Sequence, residues 1–144
     1  MVKDRGFFMR TFHEFCEIKK NILNESDLDH YAQISDEALD NAYHYGRSKQ
    51  GTFGYEANKG SAKFALDLMK TGETDIEMIA DAIHKGWASV ATTYDDPIYA
   101  VKPEKKANRL NLADTHYSQL SEEEKEKDRV VARALLQAYQ AENE

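Results

Sequence analysis

Two amphipathic helices, each opened by a capping box, form the clearest pattern in this chain. A Thr-x-x-Glu box begins at Thr74 and a Ser-x-x-Glu box begins at Ser121, and apolar residues then recur every three or four positions. The spacing predicts helices over residues 75–87 and 122–139 that pack against each other. We expect four apolar side chains at their contact: Ile79, Ile83, Leu135 and Ala138.

The segment between these helices has no helical periodicity over residues 88–119, and it holds both prolines, Pro97 and Pro103. Residues 90–94 and 98–101 are rich in β-prone side chains, which predicts two short strands that pair across a turn. The predicted fold class is therefore mainly α. It is a small helical domain in which two packed helices are bridged by a long connection with short β-strands.

The first half of the chain adds an N-terminal helical extension. An apolar stripe predicts a helix over residues 8–23, and a second helix is expected from about residue 35 to 45. Four glycines within residues 46–60 favour a loop or a short hairpin. A third helix is expected to start at Ser61 and to end before a glycine cap.

Composition narrows the classes of function. The net charge of −7 argues against DNA or RNA as a partner, and no apolar run approaches the ~20 residues that cross a bilayer. The single cysteine, Cys16, leaves no internal disulfide and suits a reducing compartment, so we expect a cytoplasmic protein. One basic cluster stands out against the acidic background and suits a phosphorylated ligand or a solvated loop: Lys102, Lys105, Lys106 and Arg109.

Catalytic and metal-binding motifs are missing from the sequence. The five histidines do not form His-Glu-x-x-His, and the lone cysteine cannot form Cys-x-x-Cys, so we expect no metal and no cofactor. No Gly-x-Ser-x-Gly elbow occurs, and the glycines of residues 51–61 lack the spacing of a phosphate-binding loop. We therefore expect a protein that is not an enzyme.

Two segments together resemble a known family, the RyR domain, which is named after the repeat of the ryanodine receptor and also occurs in bacterial and phage proteins. The resemblance covers residues 75–139 and departs from the family at His116, where many members have proline. It rests on these runs: Ile79-Ala80-x-x-Ile83-His84-x-Gly86-Trp87, then Tyr94, then Tyr117-x-x-Leu120-Ser121-Glu122-x-Glu124-Lys125-x-Lys127-Asp128-Arg129.

The resemblance implies two antiparallel helices with the connection folded over one end, and a ligand-sensing module that takes nucleotide-type ligands. It assigns residues 74–144 to an RyR-like domain and leaves residues 1–73 as an N-terminal helical region. An Ala-x-His-x-Gly motif at Ala42 is repeated at Ala82, so the N-terminal region is alternatively a diverged repeat.

Candidate ligand contacts come from the connection and its borders. Aromatic side chains can stack on a base, and Arg or Lys can neutralise phosphate. Trp87 has the alternative of plugging the core, and Arg129 that of pairing with acids on its own helix. The predicted ligand-binding residues are Trp87, Tyr94, Tyr99, Lys105, Arg109, Tyr117 and Arg129.

The expected function is non-catalytic binding of a small nucleotide or nucleotide-derived signalling ligand. Such a protein would act as a sensor or as a sequestering sponge, a role that fits conflict between phage and bacterium. One alternative is a protein interaction module that forms homo-oligomers through Phe8, Phe12 and Phe15. A weaker alternative is a small hydrolase that uses a pair such as His84 and Asp95.

Overall fold

The computed structural model describes residues 25–143, so the helix predicted over residues 8–23 and its three phenylalanines lie outside the described range. Within that range the chain forms five α-helices, two short 3-10 turns and no strand. The 3-10 turns are Pro97–Ala100 and Tyr117–Gln119. The helices are α1 (Glu25–Tyr43), α2 (Phe53–Met69), α3 (Ile76–Ala91), α4 (Pro103–Asp114) and α5 (Glu122–Glu142).

The mainly α prediction is confirmed, but the two short β-strands are wrong. Residues 90 and 91 complete α3, and residues 97–100 form a 3-10 turn. Both prolines are at the start of a helical segment. At this position a backbone N–H has no acceptor within the helix, so the lack of one in proline costs no hydrogen bond. Asp96 caps the first of these turns by accepting from the amide of Ile98 at 3.1 Å. The prolines therefore begin helical segments and do not end strands.

The glycine-rich stretch is also more helical than the sequence suggested. Helix α2 begins at Phe53, eight residues before the expected start, and Thr52 caps it by accepting from the amide of Tyr55 at 3.4 Å. Gly60 lies within α2 and faces Gly86 of α3. Glycine is required here by the close approach of the two helices. A Cβ added to Gly86 would lie 2.2 Å from the carbonyl oxygen of Gly60, so the two backbones can cross this closely only without side chains.

One predicted cap is confirmed, and the other lies one residue further along. The Ser121 hydroxyl accepts from the amide of Glu124 at 3.2 Å and opens α5. At α3 the capping residue is Asp75, whose carboxylate accepts from the amide of Glu77 at 2.8 Å. A carboxylate at the positive end of a helix adds a favourable charge interaction that the Thr74 hydroxyl would not supply.

Helix α3 lies at the centre of the fold, between α2 on one side and α5 on the other. Ile79, Ile83 and Leu135 are buried at the contact of α3 with α5, and Ala138 packs against the same cluster. The predicted packing of these two helices is thereby confirmed. Residues on both sides of position 73 contribute to this core, because Leu66 of α2 belongs to the same cluster as Ile79.

Helix α1 closes the remaining side by packing against both α2 and α5. It begins at Glu25, earlier than expected, and Ser35 is fully buried instead of capping a helix. Polar contacts fix α1 to its neighbours: Tyr31 donates to Glu142 of α5 at 2.6 Å, and Tyr55 of α2 donates to Asp29 at 3.0 Å. Over residues 25–143, every helix is too short or too polar to serve as a membrane span.

Candidate functional site

A cavity of about 300 Å³ opens between α1, α2, α3 and α5. Its volume falls at the lower end of the range of about 300–1,000 Å³ that is typical of small-molecule sites. Most of the exposed surface inside it is apolar, which is usual for such sites. The apolar walls come from Leu39, Ile83, Leu112, Leu120 and Val131.

A carboxyl and an imidazole face each other on the polar wall of the cavity. Oδ2 of Asp128 on α5 lies 4.0 Å from Nδ1 of His84 on α3, and the Asp128 side chain is 18% exposed. The other ring nitrogen of His84, Nε2, lies 2.7 Å from the carbonyl oxygen of Thr115. Since a carbonyl can only accept, Nε2 carries a proton, and Nδ1 is the ring nitrogen that faces Asp128.

The environment of Asp128 favours its protonated form. Burial is the main cause and raises the pKa of the Asp128 carboxyl from 3.8 to about 7, with the negative charge of Glu124 adding to the effect. The ammonium of Lys127 acts in the opposite direction, and Asp81 contributes a further small increase. Asp128 therefore exchanges its proton near neutral pH, unlike an ordinary surface aspartate.

Flat aromatic side chains stand at the edge of the cavity. The indole of Trp87 lies nearly parallel to the His84 ring, with centroids 6.1 Å apart and an angle of 13°. Tyr45 follows α1 and is 58% exposed, and the Lys127 ammonium lies 5.9 Å from its ring centroid. The same ammonium pairs with Glu124 at 3.1 Å. These groups offer ring faces and one cation to a molecule in the cavity.

The opposite wall carries polar side chains that satisfy one another. The Ser35 hydroxyl donates to Asn58 at 3.2 Å, and the Asn58 amide donates to Asp36 at 3.3 Å. Ser61 donates to the carbonyl of Ile83 at 3.1 Å. On the cavity wall, the titratable groups are therefore concentrated on the side of α3 and α5.

Of the seven predicted ligand-binding residues, Trp87 is the one that lines this cavity. Three others gather around Phe53 at the start of α2. The Arg109 guanidinium lies 3.8 Å from the Phe53 ring centroid, and its Nη1 donates to Asp96 at 2.6 Å and to Tyr99 at 3.2 Å. Tyr94 meets the edge of Phe53 and donates to the carbonyl of Gly51 at 2.6 Å.

Arg129 and Tyr117 form a separate group around Glu77, in the first turn of α3. Nε of Arg129 donates to Glu77 at 2.7 Å, and its Nη1 donates to Glu122 at 3.0 Å. Tyr117 donates to the other oxygen of Glu77 at 3.0 Å, and the Arg129 contact lowers the pKa of Glu77. Lys105 is exposed on α4. The structure thus divides the seven residues among separate places.

Asp128 is not among the seven predicted ligand-binding residues, although its position in the sequence indicates that it faces inward. Asp128 precedes Val131 and Leu135 by three and seven residues, so it occupies the apolar stripe of α5. His84 likewise follows Ala80 by four residues on the stripe of α3. A titratable residue in register with core positions marks a group that the fold turns inward.

Metal-binding geometry and comparison with known proteins give no further information about the site. Among residues 25–143, no group of three or more His, Cys, Asp and Glu side chains is placed to hold a metal ion. Comparison of the chain with family models, curated proteins and solved structures found no match. The resemblance to the RyR domain stays a prediction that rests on the residues quoted for it.

Proposed function

We propose that this chain binds a small planar molecule of nucleoside or nucleotide type, without transforming it, and that the base occupies the cavity between α1, α2, α3 and α5. The observation that carries the proposal is the buried Asp128 carboxyl beside His84 on the wall of a mostly apolar cavity. Burying a carboxyl is costly, and buried groups with strongly shifted pKa values cluster at functional sites.

The shape and chemistry of the walls fit a heterocyclic base. Bases present two apolar faces and a polar edge, and aromatic side chains stack on such faces in proteins that bind single-stranded nucleic acids. Trp87 and Tyr45 supply ring faces at the cavity, and Asp128 with His84 supplies hydrogen-bonding groups for the edge.

Charge favours recognition of the base over recognition of a polyphosphate. Lys127 is the one cation among the described residues that line the cavity, and two carboxyls, Glu124 and Asp128, oppose it. Arg109 and Arg129, which we expected to meet phosphate, are paired with acids outside the cavity. We therefore assign the nucleoside part of the ligand to the cavity and a single phosphate at most to its mouth, near Lys127. Such a protein serves as a sensor or as a sequestering protein.

A melting-temperature panel of nucleosides, mononucleotides and cyclic nucleotides tests this function. A ligand at about 100 times its dissociation constant stabilises the folded state by ~2.7 kcal/mol, which gives a clear rise in melting temperature. Asp128→Ala should lose the rise, and Asp95→Ala, which removes an exposed acid outside the cavity, should keep it. A panel without any rise in a folded protein would contradict the proposal.

Recovery of the ligand after incubation separates binding from hydrolysis. The proposal expects the ligand to return intact. The proximity of His84 to Asp128 is a specific observation in favour of the hydrolase, because a carboxyl and an imidazole can share general acid and base roles. Cleaved ligand, lost in His84→Gln and Asp128→Asn, would replace the binder with an enzyme.

A further inference from the structure

Building on the proposed function, we propose that Asp128 and His84 select the base by its hydrogen-bonding edge, and that one proton held by the pair switches the preference between adenine-type and guanine-type edges. With the proton, the pair offers a donor next to acceptors. Without it, the pair offers acceptors alone. The structure assigns selectivity to these two residues because the carboxyl from α5 and the imidazole from α3 face each other on the cavity wall, 4.0 Å apart.

The two protonation states match two different base edges. On its Watson–Crick edge adenine has a ring nitrogen that accepts and an amino group that donates, so it pairs with one donor and one acceptor, as in a protonated carboxyl. On its Watson–Crick edge guanine has a ring N–H and a 2-amino group that both donate, so these two groups pair with the two oxygens of a carboxylate. Stacking on Trp87 favours both bases and leaves the choice to the edge.

The switch concerns one exchangeable proton at the Asp128 carboxyl. Nε2 of His84 is committed to the carbonyl of Thr115, so the ring nitrogen on the side of Asp128 is Nδ1, which lies 4.0 Å from Oδ2. A base edge that reaches this wall therefore meets the Asp128 carboxyl with the imidazole beside it.

Neighbouring groups determine the pH at which Asp128 loses its proton. Burial raises the pKa of Asp128 to about 7, and the acids near it act in the same direction. Helices α1 and α2 present uncharged side chains to the cavity, namely Ser35, Asn58 and Ser61, and the loop after α1 presents the Tyr45 hydroxyl. The charged or titratable groups that face Asp128 are His84 and Asp81 from α3, and Glu124 and Lys127 from its own helix.

Calorimetric titrations with adenosine and guanosine at about pH 5.5 and about pH 8.5 test the switch, because a group with a pKa near 7 changes its protonation between these values. Adenosine should bind at least about tenfold more weakly at the higher pH, since the protonated fraction falls by more than that factor. Guanosine should show the opposite trend. Adenosine binding near pH 8 should take up a proton, measured by repeating the titration in buffers of different ionisation enthalpy.

Asp128→Asn fixes the site in the state that resembles the protonated acid, because a carboxamide offers one donor and one acceptor. The variant should bind adenosine equally at both pH values and should bind guanosine more weakly than the wild type at the higher pH. The matched control is Asp67→Asn on the exposed face of α2, which should keep the wild-type pH profile.

The possible outcomes distinguish a failure of this inference from a failure of the proposed function. If neither nucleoside binds folded wild-type protein at either pH, the proposed function fails and the switch fails with it. If a nucleoside binds without proton uptake and with an affinity independent of pH, the cavity is a base site but the switch is wrong. The proton-uptake measurement uses the wild-type chain alone, so it decides the matter even if Asp128→Asn does not fold.

Discussion

The carboxyl of Asp128 lies inside the fold, and its protonation therefore contributes to the folding equilibrium. In the unfolded chain this group titrates near its ordinary value of 3.8, whereas in the folded state its pKa is about 7. Below about pH 4 both states hold the proton, and the favourable contribution is fully present. As the pH rises toward about 7 the unfolded state alone ionises, so the free energy of unfolding falls through this window.

Asp128→Asn should remove this pH dependence. At about pH 8 the variant should gain about 1–3 kcal/mol in free energy of unfolding over the wild type, because a neutral amide replaces a buried charge, and at about pH 4 the two should be equal. Urea unfolding followed by circular dichroism at both pH values measures the difference. Asp67→Asn is the control and should match the wild type throughout. A loss of stability in Asp128→Asn at the higher pH would show that the carboxylate is stabilised by its neighbours.

Tyr117 offers a second test at the scale of a single side chain. Its hydroxyl donates to Glu77, and burial together with this hydrogen bond raises the pKa of Tyr117 to about 12. Tyr117→Phe should lower the free energy of unfolding by about 1 kcal/mol, since Glu77 keeps its contact with Arg129. Tyr94→Phe removes a more exposed hydrogen bond and should lose less. Equal losses in the two variants would place the Tyr117 hydroxyl in water.

Residue types alone were a poor guide to the site. Arg109, Arg129 and the tyrosines of the connection were expected to meet a ligand because they are cations and amphipathic aromatics. In the structure Arg109 binds Asp96, and Arg129 binds Glu77 of α3 in addition to the acids of its own helix that the alternative predicted. Those pairings depend on helix packing, which one sequence does not specify. The inward position of Asp128 is different, because its register in the apolar stripe could be read directly.

At the scale of helices, the backbones of α2 and α3 are in close contact where they cross at Gly60 and Gly86. Each backbone approaches the other so closely that a Cβ on either glycine would fall within 2.6 Å of a carbonyl oxygen. Trp87 and His84 lie next to this crossing on α3, and Asn58 and Ser61 lie next to it on α2. The crossing therefore fixes the distance between two walls of the cavity.

Gly86→Ala should force these helices apart. Its Cβ would meet backbone at 2.2 Å, which cannot move aside as a flexible side chain can, so we expect a loss of about 1–3 kcal/mol in free energy of unfolding. Gly54→Ala near the start of α2 is the matched control, because its Cβ would meet the Ser48 hydroxyl at 2.8 Å. That variant should be neutral or slightly stabilising, since alanine favours helix. Thermal unfolding measures both variants. Unchanged stability in Gly86→Ala would contradict the close approach of the two backbones at Gly60 and Gly86.

Periodicity predicted those elements whose buried face is marked by apolar residues. Helices α3 and α5 were found because their stripes contain Ile79, Ile83 and Leu135. Helix α4 was missed because it has no buried residue and begins with a proline, so its sequence resembles a loop. The two copies of the Ala-x-His-x-Gly motif differ in local structure: Gly46 follows α1 with φ +86°, whereas Gly86 lies inside α3.

At the scale of the whole molecule, one core joins the two regions that the sequence separated at residue 73. Ala62, Leu66 and Met69 from α2 lie in the same cluster as Ile79 from α3 and Leu135 from α5. A fragment of residues 74–144 would expose the faces of α3 and α5 that these residues cover. The cavity also needs both parts, because Ser35 and Asn58 come from the first and Asp128 from the second.

The isolated fragment 74–144 should therefore not fold on its own. A chain of about 70 residues has little core to spare, and removal of α1 and α2 uncovers most of what it has. Circular dichroism should show reduced helix content and no cooperative melt, and the intact chain serves as the control. A fragment that melts cooperatively near the temperature of the intact chain would support two independent domains divided at this point.

Ligand binding in the cavity can be followed through Trp87, because it is the only tryptophan of the chain and lies on the cavity wall. Titration of adenosine at about pH 6 should give a saturable change in tryptophan fluorescence for the wild type, at a pH where a group with a pKa near 7 is mostly protonated. Asp128→Ala should bind at least about tenfold more weakly, since it loses a buried hydrogen-bonding partner of the base. Arg129→Ala should bind as the wild type does. Wild-type affinity in folded Asp128→Ala together with lost affinity in Arg129→Ala would contradict the cavity site and place the ligand at the Arg129 group near the start of α3.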